Sequence, residues 1–168
     1  MDETLAYIGL GSNLGDRAGY LLLAVRGLLD AGLQVARLSA IYATAPVDYE
    51  DQPEFLNQVA TVRVGSFTPE QVLARLLRIE YALGRRRETE KGPRTIDLDL
   101  LLCGDAVRRT ELLTLPHPRL HLRRFVLAPL AEIAPAARHP TLGLTASEML
   151  ANLTDTAAVR RWEVRSGE

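Results

Sequence analysis

The sequence predicts an α+β fold built on an antiparallel sheet, and three observations carry that prediction. Short β-compatible runs and helical runs follow one another in the order β-α-β-β-α-β, which is not the βαβαβ run of a doubly wound parallel fold. The 168 residues, 47% of them hydrophobic and 24% charged, suffice for one domain with a core that needs no metal or disulfide staples. No internal repeat or low-complexity tract interrupts them, so residues 1–168 are read as a single domain. That element order belongs to a ferredoxin-like antiparallel sheet with helices packed on it.

Each element has its own signal. Thr4–Leu10 is short, apolar and β-compatible, and the glycines of Gly9–Gly15 read as a tight turn between strand and helix. Asp16 can cap a helix whose Tyr20, Leu21, Ala24, Val25 and Leu28 recur at helical spacing, with Gly32 as its stop. Leu33–Tyr42 and Leu56–Val64 read as strands. Thr68-Pro69-Glu70-Gln71 combines a cap, a proline at the first helical position and a capping box, ahead of apolar Val72, Leu73, Leu76, Leu77, Ile79 and Leu83. Thr95–Cys103 is a strand, Leu122–Ala134 a helix interrupted around Pro129, and Thr145–Leu153 a last helix opened by Thr145 or Ser147. Val159–Arg165 is a terminal strand.

Composition excludes several functional classes. The 20 basic and 21 acidic residues leave a net charge of -1, against a general nucleic-acid coat. Cys103 is the one cysteine and lies in an apolar run, so it is read as a small buried hydrophobe rather than a nucleophile. No apolar stretch is long enough for a bilayer and the acidic start has no basic leader, which together predict a protein of a reducing compartment, most simply the cytoplasm.

The strongest chemical signal is Gly92-Pro93-Arg94-Thr95-Ile96-Asp97-Leu98-Asp99-Leu100. On a strand, Asp97 and Asp99 share one face while Ile96, Leu98 and Leu100 share the other. Paired carboxylates in an apolar strand are costly unless a cation neutralises them, and oxygen ligands suit Mg²⁺ carried with substrate phosphates. An isolated D-x-D is more often a solvent-facing strand edge. Here, however, Arg85, Arg86, Arg87, Lys91 and Arg94 crowd just upstream. Carboxylates beside an arginine-rich loop are the layout of polyphosphate transfer.

A second basic group is Leu115-Pro116-His117-Pro118-Arg119-Leu120-His121-Leu122-Arg123-Arg124-Phe125, in which His117 is read as a phosphate contact and His121, like His139 elsewhere, as structural. No Cys/His cluster has zinc spacing, and Gly9, Gly11 and Gly15 match neither a dinucleotide fingerprint nor a P-loop. A long acidic loop joins Tyr42 to Asn57. The Asn57 amide suits the edge of a flat heterocycle, and Phe55 suits its face.

Four segments together resemble the 6-hydroxymethyl-7,8-dihydropterin pyrophosphokinase family: Tyr7–Asp16, the Thr44–Asn57 loop, Gly92–Leu102 and Leu115–Pro129. They stand in the family's order and spacing over nearly the whole chain, and Gly-Pro-Arg-Thr-Ile-Asp-Leu-Asp is highly specific. The resemblance implies an αβα sandwich with helices on both faces of the sheet. It implies transfer of pyrophosphate from ATP to the pterin alcohol, releasing AMP, in folate biosynthesis. Asp97 and Asp99 would bind two Mg²⁺ ions, while Thr44, Ala45, Val47, Phe55, Asn57, Asp97 and Phe125 would hold the pterin. Glu80, Arg85, Arg87, Arg94, Ile96, Thr114, His117 and Arg123 would contact ATP, and Arg87, Arg94, Asp97 and Asp99 would be the catalytic residues. In that scheme Arg87, His117 and Arg123 neutralise the moving pyrophosphate. The chain departs from better-studied members at Glu90-Lys91, where they carry Arg-Trp, in a loop one residue shorter, and at Leu77 and Leu112.

A monomer acting on two small molecules is expected, with neither nucleic acid nor membrane as partner. Two other classes compete. Another Mg-dependent phosphoryl or nucleotidyl transferase would have no need of the Thr44–Asn57 loop. A ferredoxin-like nucleic-acid module would carry aromatics at alternate strand positions with basic neighbours, and Leu33–Tyr42 and Leu56–Val64 lack them.

Overall fold

The computed structural model describes residues 3–44, 53–84, 95–154 and 158–163. Strand β1 (Leu5–Ser12) leads into helix α1 (Arg17–Asp30), followed by β2 (Gln34–Leu38), β3 (Tyr42–Thr44) and β4 (Phe55–Arg63). Helix α2 (Pro69–Ala82), strand β5 (Asp97–Cys103) and a small hairpin of β6 (Arg108–Arg109) with β7 (Thr114–Leu115) come next. A 3-10 turn η1 (Leu120–Leu122), helices α3 (Arg124–Ile133) and α4 (Ala146–Ala151), and strand β8 (Val159–Arg161) complete the order.

The main sheet runs β5-β1-β4-β3-β8, with β2 also paired to β4, and every pairing is antiparallel. Alternation along the strands divides two cores. Ala6, Ile8 and Leu10 of β1, Leu56, Ala60 and Val62 of β4, and Leu98 and Leu100 of β5 pack against Leu21, Ala24 and Leu28 of α1 and Val72, Leu76 and Ile79 of α2. Val59 and Leu101 are buried on the opposite face with Leu127, Leu130 and Ile133 of α3 and Met149 of α4. Helices therefore cover both faces, as the resemblance implied.

The caps read from sequence are in place. The Asp16 side chain accepts from Gly19 N–H at 3.0 Å. Thr68 Oγ1 accepts from Gln71 N–H at 3.2 Å while Gln71 Oε1 accepts from Thr68 N–H at 2.8 Å. Thr145, not Ser147, caps α4, with Glu148 closing a second box.

Three local expectations are corrected. Leu33–Tyr42 is two strands, because Ser39 takes over the ladder at the break: its Oγ accepts from Val59 N–H at 2.9 Å and its carbonyl from Gln58 Nε2 at 2.8 Å. Pro129 does not interrupt α3, although it has no N–H to offer the carbonyl one turn back; it is buried in the helix beside Leu130. Gly9 and Gly11 are not turn residues but lie within β1, and only Gly15, at φ 73°, makes the turn. The β6–β7 hairpin has strands too short to leave a period in the sequence. Cys103 is buried and its thiol is pushed up by that burial, as an inert core residue should be.

Candidate active site

Register builds the site. Gly11 of β1 lies between Asp97 of β5 and Asn57 of β4, and Gly9 lies between Asp99 and Val59. Directly opposed residues share a face, so Asp97, Asp99, Asn57 and the missing side chains of Gly9 and Gly11 all lie on the α3 side of the sheet. The two glycines are thus a bare floor between a pair of carboxylates and an amide. A Cβ at Gly11 would sit 3.3 Å from Asn57 Oδ1 and 3.8 Å from Phe55 Cδ1. Sequence reasoning missed this floor; the signal was the i, i+2 spacing of Gly9 and Gly11, which matches that of Asp97 and Asp99.

At the amide end, β3 and β4 pair Thr44 with Phe55 and Tyr42 with Asn57. Asn57 Nδ2 donates to Thr44 Oγ1 at 3.0 Å, and both residues are buried. That bond fixes the amide plane and turns Oδ1 over the Gly11 floor, where it can accept from a flat ring. The Phe55 ring flanks the same floor. Phe125 stands in the first turn of α3, the helix that covers this face of the sheet, with the Arg123 guanidinium 5.4 Å from its ring centroid. Glu132 ties this helix to the sheet edge, accepting from the Tyr42 hydroxyl at 2.6 Å and from Ala40 N–H at 3.1 Å. Burial, then that bond, raises the Tyr42 hydroxyl above its ordinary pKa.

At the carboxylate end, Ile96 is fully buried and anchors the start of β5. Glu80 comes from α2, behind the sheet, and its Oε2 accepts from Leu98 N–H at 2.8 Å. The backbone between Asp97 and Asp99 is therefore held from the rear by a carboxylate that is itself buried. Thr114 stands exposed on β7, opposite Arg109. His117 N–H donates to Leu101 O at 2.9 Å, which docks the Leu115–Arg119 segment beside β5.

His117 requires a correction to its expected role. Burial first, then the Arg123 charge, lower its pKa from 6.5 to about 4, with Asp97 opposing the shift. Its ring is neutral at pH 7 in the free protein. Its Nδ1 accepts from Arg119 N–H at 3.2 Å, so Nε2 carries the proton and is the donor. His139 has the structural role expected, its Nδ1 accepting from Leu142 N–H at 3.0 Å. His121 meets it edge-on at 5.9 Å.

Ala45, Val47, Arg85, Arg87, Glu90, Lys91 and Arg94 lie outside the described residues. Of the positions where the chain departs from better-studied relatives, Leu77 and Leu112 are exposed. Among the described residues, no group of three or more His, Cys, Asp or Glu side chains converges on a metal position. Two oxygen-donating side chains over a glycine floor do fit Mg²⁺, which takes one or two carboxylates and fills its remaining sites with water and phosphate. No described helix is long and apolar enough to cross a membrane.

The fold is that of a ferredoxin-like α+β protein, with two carboxylates and a buried amide set on one face of its sheet. Comparison with known proteins makes that class specific. The profile of the 7,8-dihydro-6-hydroxymethylpterin-pyrophosphokinase (HPPK) family matches residues 7–135. A 2-amino-4-hydroxy-6-hydroxymethyldihydropteridine pyrophosphokinase of Bacillus subtilis is 46% identical, over 98% of this chain and 94% of its own. The protein of the same name from Methylorubrum extorquens is 45% identical, over 95% and 99%. A Plasmodium falciparum HPPK-DHPS triple mutant crystallised with pteroate superposes with a TM-score of 0.69 at 16% identity, which speaks to the fold alone. This chain covers 43% of that longer one. The chain belongs to the HPPK family.

Proposed function

We propose that the groove over Gly9 and Gly11 is where this pyrophosphokinase brings its two substrates together. The enzyme transfers the pyrophosphate group of ATP to 6-hydroxymethyl-7,8-dihydropterin, giving the pterin diphosphate and AMP, in folate biosynthesis. The observation that carries the assignment of the groove is the register that sets Asp97 and Asn57 on either side of Gly11. A flat heterocycle seated over that floor meets an amide acceptor at one end and carboxylates at the other.

Asn57 Oδ1, oriented by Thr44, accepts from the ring edge, while Phe55 and Phe125 pack on the ring faces, with Ala45 and Val47 lining the same pocket. Asp97 and Asp99 would hold two Mg²⁺ ions, and Asp97 would also border the pterin hydroxymethyl group. When bound, the ions neutralise phosphate charge and make the substrate hydroxyl more acidic. The hydroxymethyl oxygen forms a bond to the β-phosphorus, the bond from that phosphorus to the α-phosphate oxygen breaks, and the hydroxyl proton passes to solvent. AMP leaves with the electrons of the broken bond. Arg123 supplies positive charge and His117 a neutral Nε2–H donor to the phosphates, with Arg85, Arg87, Arg94 and Thr114 completing the ATP side. Glu80 and Ile96 also contact ATP in this scheme, and both fix the start of β5. The domain spans residues 1–168 and works as a cytoplasmic monomer.

The test is substitution of both acids. Asp97→Ala and Asp99→Ala should each reduce turnover at least about a thousandfold, with an unchanged circular dichroism spectrum, because both side chains point away from the α1/α2 core. Wild-type activity in the double variant would overturn the assignment of the groove.

A further inference from the structure

The chain enters β4 through Pro53 and Glu54, immediately before Phe55, and three separate parts of the fold grip those two residues. Arg17, the first residue of α1, donates from Nη1 to the Glu54 carbonyl at 2.9 Å. Arg160 of β8 donates from Nη2 to the Glu54 carboxylate at 2.6 Å. Asn13, in the β1–α1 turn, donates from Nδ2 to the Pro53 carbonyl at 3.5 Å. Arg160 is paired with Ala43, and Ala43 with Leu56, so this grip lies on the α1/α2 side of the sheet. Phe55 and Asn57 face the other side.

We propose that Arg17 and Arg160 are positioning residues for the pterin subsite, acting from behind the sheet through Glu54 to fix the Phe55 ring. The inference rests on the assignment of Phe55 and Asn57 to the pterin. The contacts themselves are exposed, with the Arg160 and Glu54 side chains 62% and 45% accessible, and such pairs add little to global stability. Their effect is local. The strand is anchored by its pairing from Phe55 onward, and the backbone just before it is anchored by these side chains. Without them the first residue of the strand can fray, and the ring of Phe55 goes with it. β8 thereby gains a role that its short pairing to β3 does not otherwise suggest. It brings a cation from the end of the chain to a strand of the substrate groove.

The experiment is steady-state kinetics of the full chain with each substrate varied in turn, for Arg17→Ala, Arg160→Ala, Arg160→Glu, Glu54→Arg and the combined Arg160→Glu/Glu54→Arg variant. The KM for the pterin should rise about three- to tenfold in each single variant, as expected for loss of an exposed charge-assisted contact. The KM for ATP and kcat should stay within about twofold, and the charge-reversed pair should recover most of the pterin KM. An unchanged pterin KM in both arginine variants overturns the inference, and so does an equal rise in both KM values, which marks a general structural effect. Failure of the wild-type chain to release AMP in response to the pterin would instead overturn the proposed function itself.

Discussion

Gly11→Ala separates a groove floor from a turn. Gly11 lies in extended backbone within β1 and has no left-handed φ, so alanine can adopt its conformation. On conformational grounds alone the substitution should stabilise the fold by about 0.4–1 kcal/mol through the unfolded chain. The opposing term is the 3.3 Å approach of the new methyl to Asn57 Oδ1. The net change in stability should therefore be within about 1 kcal/mol of zero, since an amide oxygen can shift by a few tenths of an ångström. Substrate binding has no such slack. The methyl raises the floor by about one bond length, 1.5 Å, and lifts a flat ring out of reach of the Asn57 acceptor. Loss of one hydrogen bond and part of the stacking contact is worth about 1.5–3 kcal/mol, or roughly 10- to 100-fold in pterin KM. AMP release at saturating ATP, with the pterin varied, reads the KM, and thermal melting reads the fold. A variant that melts like the wild type and keeps its pterin KM would refute the floor.

Three further perturbations follow from the same geometry. Thr44→Val leaves the buried Asn57 amide without its 3.0 Å partner, and should cost about 1–2 kcal/mol in urea unfolding and raise the pterin KM; unaltered values of both would contradict the orienting role. Glu80→Ala strands the Leu98 N–H between the two aspartates, and should cost about 1–3 kcal/mol and depress kcat, whereas a variant as stable and active as the wild type counts against rear support of β5. His117, with its pKa lowered to about 4, binds its proton more readily in the unfolded chain. Its contribution is present above the unfolded value near 6.5 and is lost as pH falls from there towards about 4, by at most about 3 kcal/mol. His117→Gln should flatten the stability profile over that window in denaturant melts, and an unchanged slope would show that the ring is not buried as described.

Much of this arrangement was legible in the residues because its signals are local. Asp16, Thr68 and Thr145 announce helix starts through side chains that bond within three residues of themselves. Asp97 and Asp99 announce a shared face because strand period alone puts them there. The resemblance supplied the sandwich and the pterin as the ring that Asn57 meets, neither of which periodicity reaches. What was not legible depends on register. A glycine in a strand and a glycine in a turn look alike until β1 is placed between β4 and β5, and only then does Gly11 stand between Asn57 and Asp97. The break at Ser39 likewise depends on a hydroxyl meeting Val59 across the sheet. The neutral state of His117 depends on burial, which a sequence rich in neighbouring arginines does not report. The Arg160–Glu54 contact spans 106 residues and follows no spacing rule.

Transfer of pyrophosphate to a pterin alcohol on the Gly9–Gly11 floor leaves a distinctive pair of products. The chain is incubated with ATP, Mg²⁺ and 6-hydroxymethyl-7,8-dihydropterin, and the nucleotides are separated by chromatography. AMP should appear in step with pterin diphosphate, only when the pterin is present, and should be lost with Asp97→Ala. ADP as the nucleotide product, or ATP turnover indifferent to the pterin, would contradict the account.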